Sequence, residues 1–415
     1  MPDGCGGTLQ CGSCASGEAC TNAHVCEPVQ SACVPKSCAE LNRECGATDD
    51  GCGHALACGT CANAGTCDTS GGCNAPTQEH LSTVWAAQDD VALPPAITTA
   101  TDGSIYLAAV DNASTGTIVV MKFDGTGGVK WRVSVGGAVQ GWPDPITKIA
   151  TTGLGNIFVA SLGQLTKLDA SGAVVWQRHV SPEATALAVD SHGGVAVSSP
   201  GDLNCLYERC ETGRITQFSW DGNVQWEKDN GTETDHAPWE GIARTSGDAL
   251  YALDGRGHLL KLDATGTQLW SHAVSGSEQV ISLPSGDAVV LGYDGNATRI
   301  RSDGTGDLWT YHPATEAPGV MAASPQGTIL ISSNFKEGGC ASFALHEISG
   351  SGAVIATRTF HNVMCREDAF VETSVAFTPS GAPLAAGVFN GTVDFGTGAK
   401  TASGGADDFL LRLAP

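Results

Sequence analysis

The chain has 415 residues, with 21 Lys plus Arg against 44 Asp plus Glu and a formal net charge of −23. No Lys/Arg cluster offsets that surplus, so a phosphate backbone or an anionic membrane surface is excluded as a partner. No apolar run approaches the ~18 residues of a membrane-spanning helix, and the 54 glycines suit a chain built mostly of tight turns.

Thirteen of the 17 cysteines fall in residues 1–73, a stretch almost without large apolar side chains. Cys5, Cys11, Cys14, Cys20 and Cys26 recur 47 residues on as Cys52, Cys58, Cys61, Cys67 and Cys73, with the spacing C-x5-C-x2-C-x5-C-x5-C in both copies. Cys33, Cys38 and Cys45 precede the second copy and complete an eight-cysteine module. Four disulfides are expected there, and 105 pairings are open. Their counterparts in the first copy would fall upstream of Met1, so residues 1–30 are expected to be part of a module whose start, with an export signal or lipid anchor, lies further upstream. Zinc binding is the competing reading of Cys11-x2-Cys14 and Cys58-x2-Cys61, but each ribbon wants a second Cys-x2-Cys, and the other spacings are five or more. A small Gly-rich segment without a core needs covalent staples, which points to disulfides and an oxidising location: secreted, periplasmic or on the cell surface. The expected organisation is a partial module at 1–30, an eight-cysteine module at 31–75, a linker at 76–81 and a repeat domain at 82–415.

From residue 83 onward a tryptophan recurs at Trp85, Trp131, Trp176, Trp226, Trp270 and Trp309, with gaps of 46, 45, 50, 44 and 39 residues; Ala356 takes the seventh place 47 residues later. Short strands on a period near 45 residues predict propeller blades. Each repeat contains a small apolar strand, a second strand such as "IYLAAV" (105–110), a third such as "HLLKLD" (258–263), and a fourth of the form Gly-x-x-x-Trp. Their alternation is the period-two pattern of sheet. First, second and third strands number seven, but only six fourth strands follow them. The missing one is "STVWAAQ" (82–88), predicted to pair with "DFLLRLA" (408–414) and close an all-β seven-bladed propeller. The repeated tryptophans are expected to fill the seams between blades. Cys205 with Cys210, and Cys340 with Cys365, are candidate local disulfides.

The phrase K-L-D-A-x-G (167–172 and 261–266) followed by G-x-x-x-W resembles the quinoprotein-like propeller repeat family, and "GTVDFGTGAKTASGGADDFLLRL" (391–413) resembles repeats of SBBP-type bacterial surface propellers. The head resembles Cys-rich modules of exported bacterial proteins. These resemblances imply a seven-bladed propeller used as a binding or assembly platform. Quinoprotein dehydrogenases are similar but have eight blades and adjacent cysteines over their cofactor. Seven blades and no Cys-Cys pair argue against pyrroloquinoline quinone.

Function concentrates in long loops on a regular scaffold. Here the longest lead into inner strands, at 135–145, 227–240 and 361–372. Acidic residues recur just before those strands: Asp144, Glu183, Glu240, Glu278, Glu316 and Glu372. Lining a channel mouth, they would draw in cations. Trp142, Trp239 and Tyr311 are the candidate stacking residues for a ligand. Asp235, His236, His312 and His361 are the candidates for a general base or a metal, without a diagnostic spacing. The Asp-Gly turns at 293–298 and 302–307 hint at Ca2+, but no complete ligand loop accompanies them. The leading expectation is an exported, non-enzymatic scaffold that presents its loop face to a protein or carbohydrate. The alternative is a propeller lyase or hydrolase acting at the channel mouth.

Overall fold

The computed structural model describes residues 12–16, 18–20, 25–28, 34–59, 66–67, 70–74, 83–89, 95–110, 117–138, 147–153, 155–161, 163–180, 184–199, 213–232, 235–236, 238–313, 317–365, 371, 373–403 and 406–415. The chain forms two compact units, Met1–Pro76 and Thr77–Pro415. Among the described residues every regular element is a strand.

The N-terminal unit is held by covalent bonds more than by packing. Disulfides join Cys14 to Cys26, Cys38 to Cys58 and Cys45 to Cys67. Cys14 and Cys58 therefore each pair outside their Cys-x2-Cys, and the zinc reading fails. Short hairpins such as Ala47–Asp49 with Ala55–Ala57 lie between the staples. Asp50 organises that turn by accepting from the backbone N–H groups of Cys52 and His54.

The second unit is a seven-bladed β-propeller. Six blades are built on four consecutive antiparallel strands, the first being Ala96–Thr99, Ile105–Val110, Thr117–Phe123 and Val129–Ala138, and the third blade adds a short fifth strand, Asp235–His236. The seventh is made of Thr373–Phe377, Pro383–Phe389, Asp407–Leu413 and, from the other end of the chain, Thr83–Asp89. Trp85 stands opposite Arg412 and Ala87 opposite Leu410, as the strand count requires. The inner strands touch in ring order and return to the first: Thr151 Oγ1 donates to Thr99 O at 2.6 Å, and Thr99 Oγ1 to Phe377 O at 2.7 Å.

The second strands are buried at every position in six blades; only the far end of the long one in blade 6, Ile329–Glu337, reaches solvent. Neighbouring blades cover both of their faces, which is why these segments read as continuous apolar runs rather than alternating ones. A β-bulge recurs in all seven blades at one register, directly after the residue that faces the tryptophan position: Lys122, Lys167, Gln217, Lys261, Arg299, Glu347 and Arg412.

The tryptophans are seam residues. In the five whose side chains are described, the indole Nε1 donates to a turn carbonyl of the following blade: Trp131 to Ala170, Trp176 to Trp220, Trp226 to Ala264, Trp270 to Ser302 and Trp309 to Gly350. A cation one strand inward reaches the same carbonyl in three seams, through Lys167, Lys261 and Arg299. Arg412 Nη1 does the equivalent across the closing seam, donating to Gly125 O at 3.2 Å. Blade 6 has Ala356 in place of tryptophan. Its seam is filled instead by the hairpin Thr392–Asp394 with Ala399–Thr401, whose connecting Phe395 is fully buried among Phe360, Phe389 and Phe409.

Candidate functional site

Two loop faces bound the channel that the inner strands enclose. On the face where chains enter those strands, blades 4 and 5 bring together Glu240, Glu278 and Tyr293. Glu240 is the second residue of the inner strand Trp239–Arg244, and Glu278 the second of Ser277–Ser282. The two strands lie side by side, close enough that a Cβ on Gly241 would meet the Val280 nitrogen at 3.5 Å. Tyr293 sits in the turn after the second strand of blade 5, its ring packed on Gly276 and its hydroxyl bonded to Glu240. Burial pushes both carboxyl groups up from their ordinary range, and Glu240 pushes Glu278 further. Burial and the same two carboxylates also raise the Tyr293 hydroxyl. The mouth therefore carries negative charge that no neighbouring cation neutralises among the described residues. Sequence reasoning marked the two glutamates by position but missed Tyr293, which carried no signal beyond its Asp-Gly turn.

The remaining candidates disperse. Trp239 is 1% exposed and packs in the core of blades 3 and 4 with Ala188, Ile215 and Ile242, so it is not a stacking surface. Tyr311 ends the outer strand of blade 5, half-buried, with its hydroxyl 3.2 Å from His346 Nδ1. His312 follows it, with Nδ1 bonded to Asn296 Oδ1. His361 is not in a loop: it lies within the outer strand Val354–Met364 of blade 6 and pairs with Glu337 at 2.8 Å, both exposed. The segment 227–240 is likewise mostly strand, with Val224–Thr232 pairing to the short Asp235–His236. The side chains of Asp235 and His236 lie outside the described residues, as do Trp142, Asp144, Glu183, Glu316, Glu372, Cys205 and Cys210. His312 and His361 thus stand apart, one just after the outer strand of blade 5 and the other within that of blade 6, with separate partners, and no group of three or more His, Cys, Asp or Glu among the described residues could hold a metal ion.

The two Asp-Gly turns use their carboxylates locally. Asp294 Oδ1 accepts from Asn296 N, and Asp303 Oδ1 from Thr305 N and Oγ1. This is turn chemistry.

Blade 6 rises beyond the others on the loop face. Its outer three strands run nine, nine and eleven residues, and a disulfide between Cys340 and Cys365 ties the upper end. A cavity of about 360 Å³ also opens in the seam of blades 1 and 2, beside Gln164, Gln177 and His179. Its Gln177 amide is already spent on Val135 O, Gln164 Oε1 and Thr166 Oγ1.

Residues 115–279 and 211–359, together more than half of the chain, match the PQQ-like sequence family described as outer membrane protein assembly factor BamB. No curated protein matches. Among solved structures, the β-propeller domain of Cps50 (Swd1) from Myceliophteria thermophila is similar over 80% of this chain and 99% of that one, with 14% identity and a TM-score of 0.53. At that identity the likeness shows the fold alone.

Proposed function

The chain belongs to the PQQ-like propeller family described as outer membrane protein assembly factor BamB, and from that footing we propose that it is a binding scaffold acting outside the cytoplasm, whose loop-face mouth holds a basic segment of a protein partner. The observation that carries this reading is the Glu240–Glu278 pair, two half-buried carboxyls held side by side without a counter-ion among the described residues. A Lys or Arg side chain from a partner would supply the missing charge and offset the desolvation cost that raises both groups. The raised rim of blade 6 gives the same face a wall beside which a polypeptide could lie. A protein is favoured over a glycan because a pair of carboxylates selects a cation, which a protein carries as Lys or Arg. The disulfides of both units support a location outside the cytoplasm.

The test is fluorescence anisotropy with a lysine-containing decapeptide and the double variant Glu240→Gln, Glu278→Gln. A control variant, Glu227→Gln with Asp229→Asn on the outer strand of blade 3, changes the net charge equally. Binding weakened at least about tenfold in the first variant alone supports the site. Equal weakening in both, or none in either, refutes it.

A further inference from the structure

The cavity of about 360 Å³ in the seam of blades 1 and 2 has an internal control in the seam of blades 5 and 6. Thr166 stands across from Val159 and Gln177, as His346 stands across from Ile331 and Thr357, so Thr166 and His346 hold the same place in their blades. Val133 and Tyr311 likewise match, each two residues after a seam tryptophan. In the later seam the space is filled: His346 Nε2 lies 2.9 Å from Ser333 Oγ, and its Nδ1 lies 3.2 Å from the Tyr311 hydroxyl of the preceding blade. Between blades 1 and 2 the smaller valine and threonine leave room.

That room has an apolar wall and a polar one. Ile118 and Val135 of blade 1 cluster with Val159 of blade 2 and all three line the cavity. Opposite them two side-chain amides are fixed. Gln177 Nε2 donates to Val135 O, to Gln164 Oε1 and to Oγ1 of the buried Thr166, each at 3.2 Å. Gly136, with φ +108°, admits the Gln164 amide, because a Cβ there would stand 3.1 Å from its Oε1. These bonds occupy one end of each amide. The other ends, the acceptor Oε1 of Gln177 and the donor Nε2 of Gln164, have no partner among the described residues. The lining contains no Asp, Glu or Lys. Its Arg178 turns to blade 3, where Nε donates to Gly222 O at 2.7 Å, and His179 stands at the exposed rim.

We propose that this cavity binds an acetamido group, its N–H donating to Gln177 Oε1, its carbonyl accepting from Gln164 Nε2 and its methyl against Ile118, Val135 and Val159. An uncharged group suits a lining without a counter-charge. A ligand of hydroxyls alone would leave the three aliphatic side chains uncovered, whereas a small ligand site pairs an apolar wall with a few placed polar groups. An N-acetylated sugar and an acetylated lysine side chain both carry that chemistry. The site shares no residue with the loop-side mouth, so its test stands or falls apart from that of Glu240 and Glu278.

Calorimetry on the full chain with two matched pairs tests the site: diacetylchitobiose against cellobiose, and a glycine-flanked acetyl-lysine tripeptide against its unacetylated parent. The expected result is binding of one or both acetylated probes and of neither parent; the sugar alone identifies an N-acetylated glycan, the tripeptide alone an acetylated side chain. Gln164→Leu keeps the size of a half-buried side chain and removes the donor, and it should weaken binding about five- to tenfold, the loss of one hydrogen bond. Thr166→His imports the residue that fills the matching seam of blades 5 and 6 and should abolish binding; a melting curve shows whether that variant folds, and Gln164→Leu decides the matter where it does not. Equal binding within both pairs, unchanged affinity in Gln164→Leu or in folded Thr166→His, or no binding of either acetylated probe at ~10 mM would overturn the proposal.

Discussion

The indole of Trp309 in blade 5 lies on Gly352 of blade 6, and its Nε1 donates to Gly350 O at 2.9 Å. Gly352 has φ +90°, and a Cβ there would stand 2.9 Å from the indole ring. The same indole-on-glycine contact recurs at Trp131 with Gly172, Trp176 with Gly222, Trp226 with Gly266, and Trp270 with Gly304. Each glycine is required twice, by its backbone and by its neighbour. Gly352→Ala is expected to cost about 1–3 kcal/mol, measured by denaturant unfolding. Trp176→Ala, whose ring is 9% exposed, is expected to cost about 3 kcal/mol.

Where Ala356 replaces the tryptophan, Arg358 donates to Phe395 O at 3.1 Å and the phenyl ring fills the space. Phe395→Ala should therefore cost about 3–5 kcal/mol, as for a large core side chain. The comparison that matters is with Val354→Ala on the outer strand of blade 6, half exposed, which should lie within about 0.5 kcal/mol of the parent. Similar losses in both would show that the hairpin is not the seam filler.

The glutamates at the loop-side mouth make stability depend on pH. Burial, then Glu240, raises Glu278 in the folded protein. The unfolded chain ionises this group first as pH rises, so the stability that Glu278 contributes is fully present only below the ordinary carboxylate range. It is lost as pH climbs through that range to the raised folded value. Glu278→Gln is thus expected to melt higher than the parent at pH 7 and together with it near pH 4. A gap that widens on acidification would contradict the assignment.

Ring number, strand order and closure were legible because apolar periodicity repeats seven times and the tryptophan marks six of the repeats, and the unmatched first strand had one place to go. The bulge after Lys122, Lys167 and their equivalents was not legible, since one extra residue barely disturbs a short alternating pattern. His361 and Asp235 looked like loop residues because blade 6 and blade 3 extend polar strands past the sheet. Trp239 was misplaced for a related reason: it is the first residue of an inner strand, and spacing gives no direction for a side chain at a strand's end. Of the candidate site, position marked Glu240 and Glu278, while their coupling and the contribution of Tyr293 come only from adjacency of two blades.

The disulfide of blade 6 offers a test of how the loop-face rim is held. Cys340 and Cys365 are 25 residues apart, and Cys365 is exposed. Asn390 of blade 7 reinforces that end, its Oδ1 accepting from Cys365 N at 2.8 Å. A loop of that length contributes about 3 kcal/mol through the unfolded state. Replacing both cysteines by serine should lower unfolding free energy by about that amount. The sheet below, with Phe343 stacked between Phe360 and Phe409, keeps its own packing. Hydrogen exchange should then rise at 334–342 and 361–365 while protection at 343–348 persists. Loss of protection throughout blade 6 would mean that the staple, and not the phenylalanine stack, holds the blade.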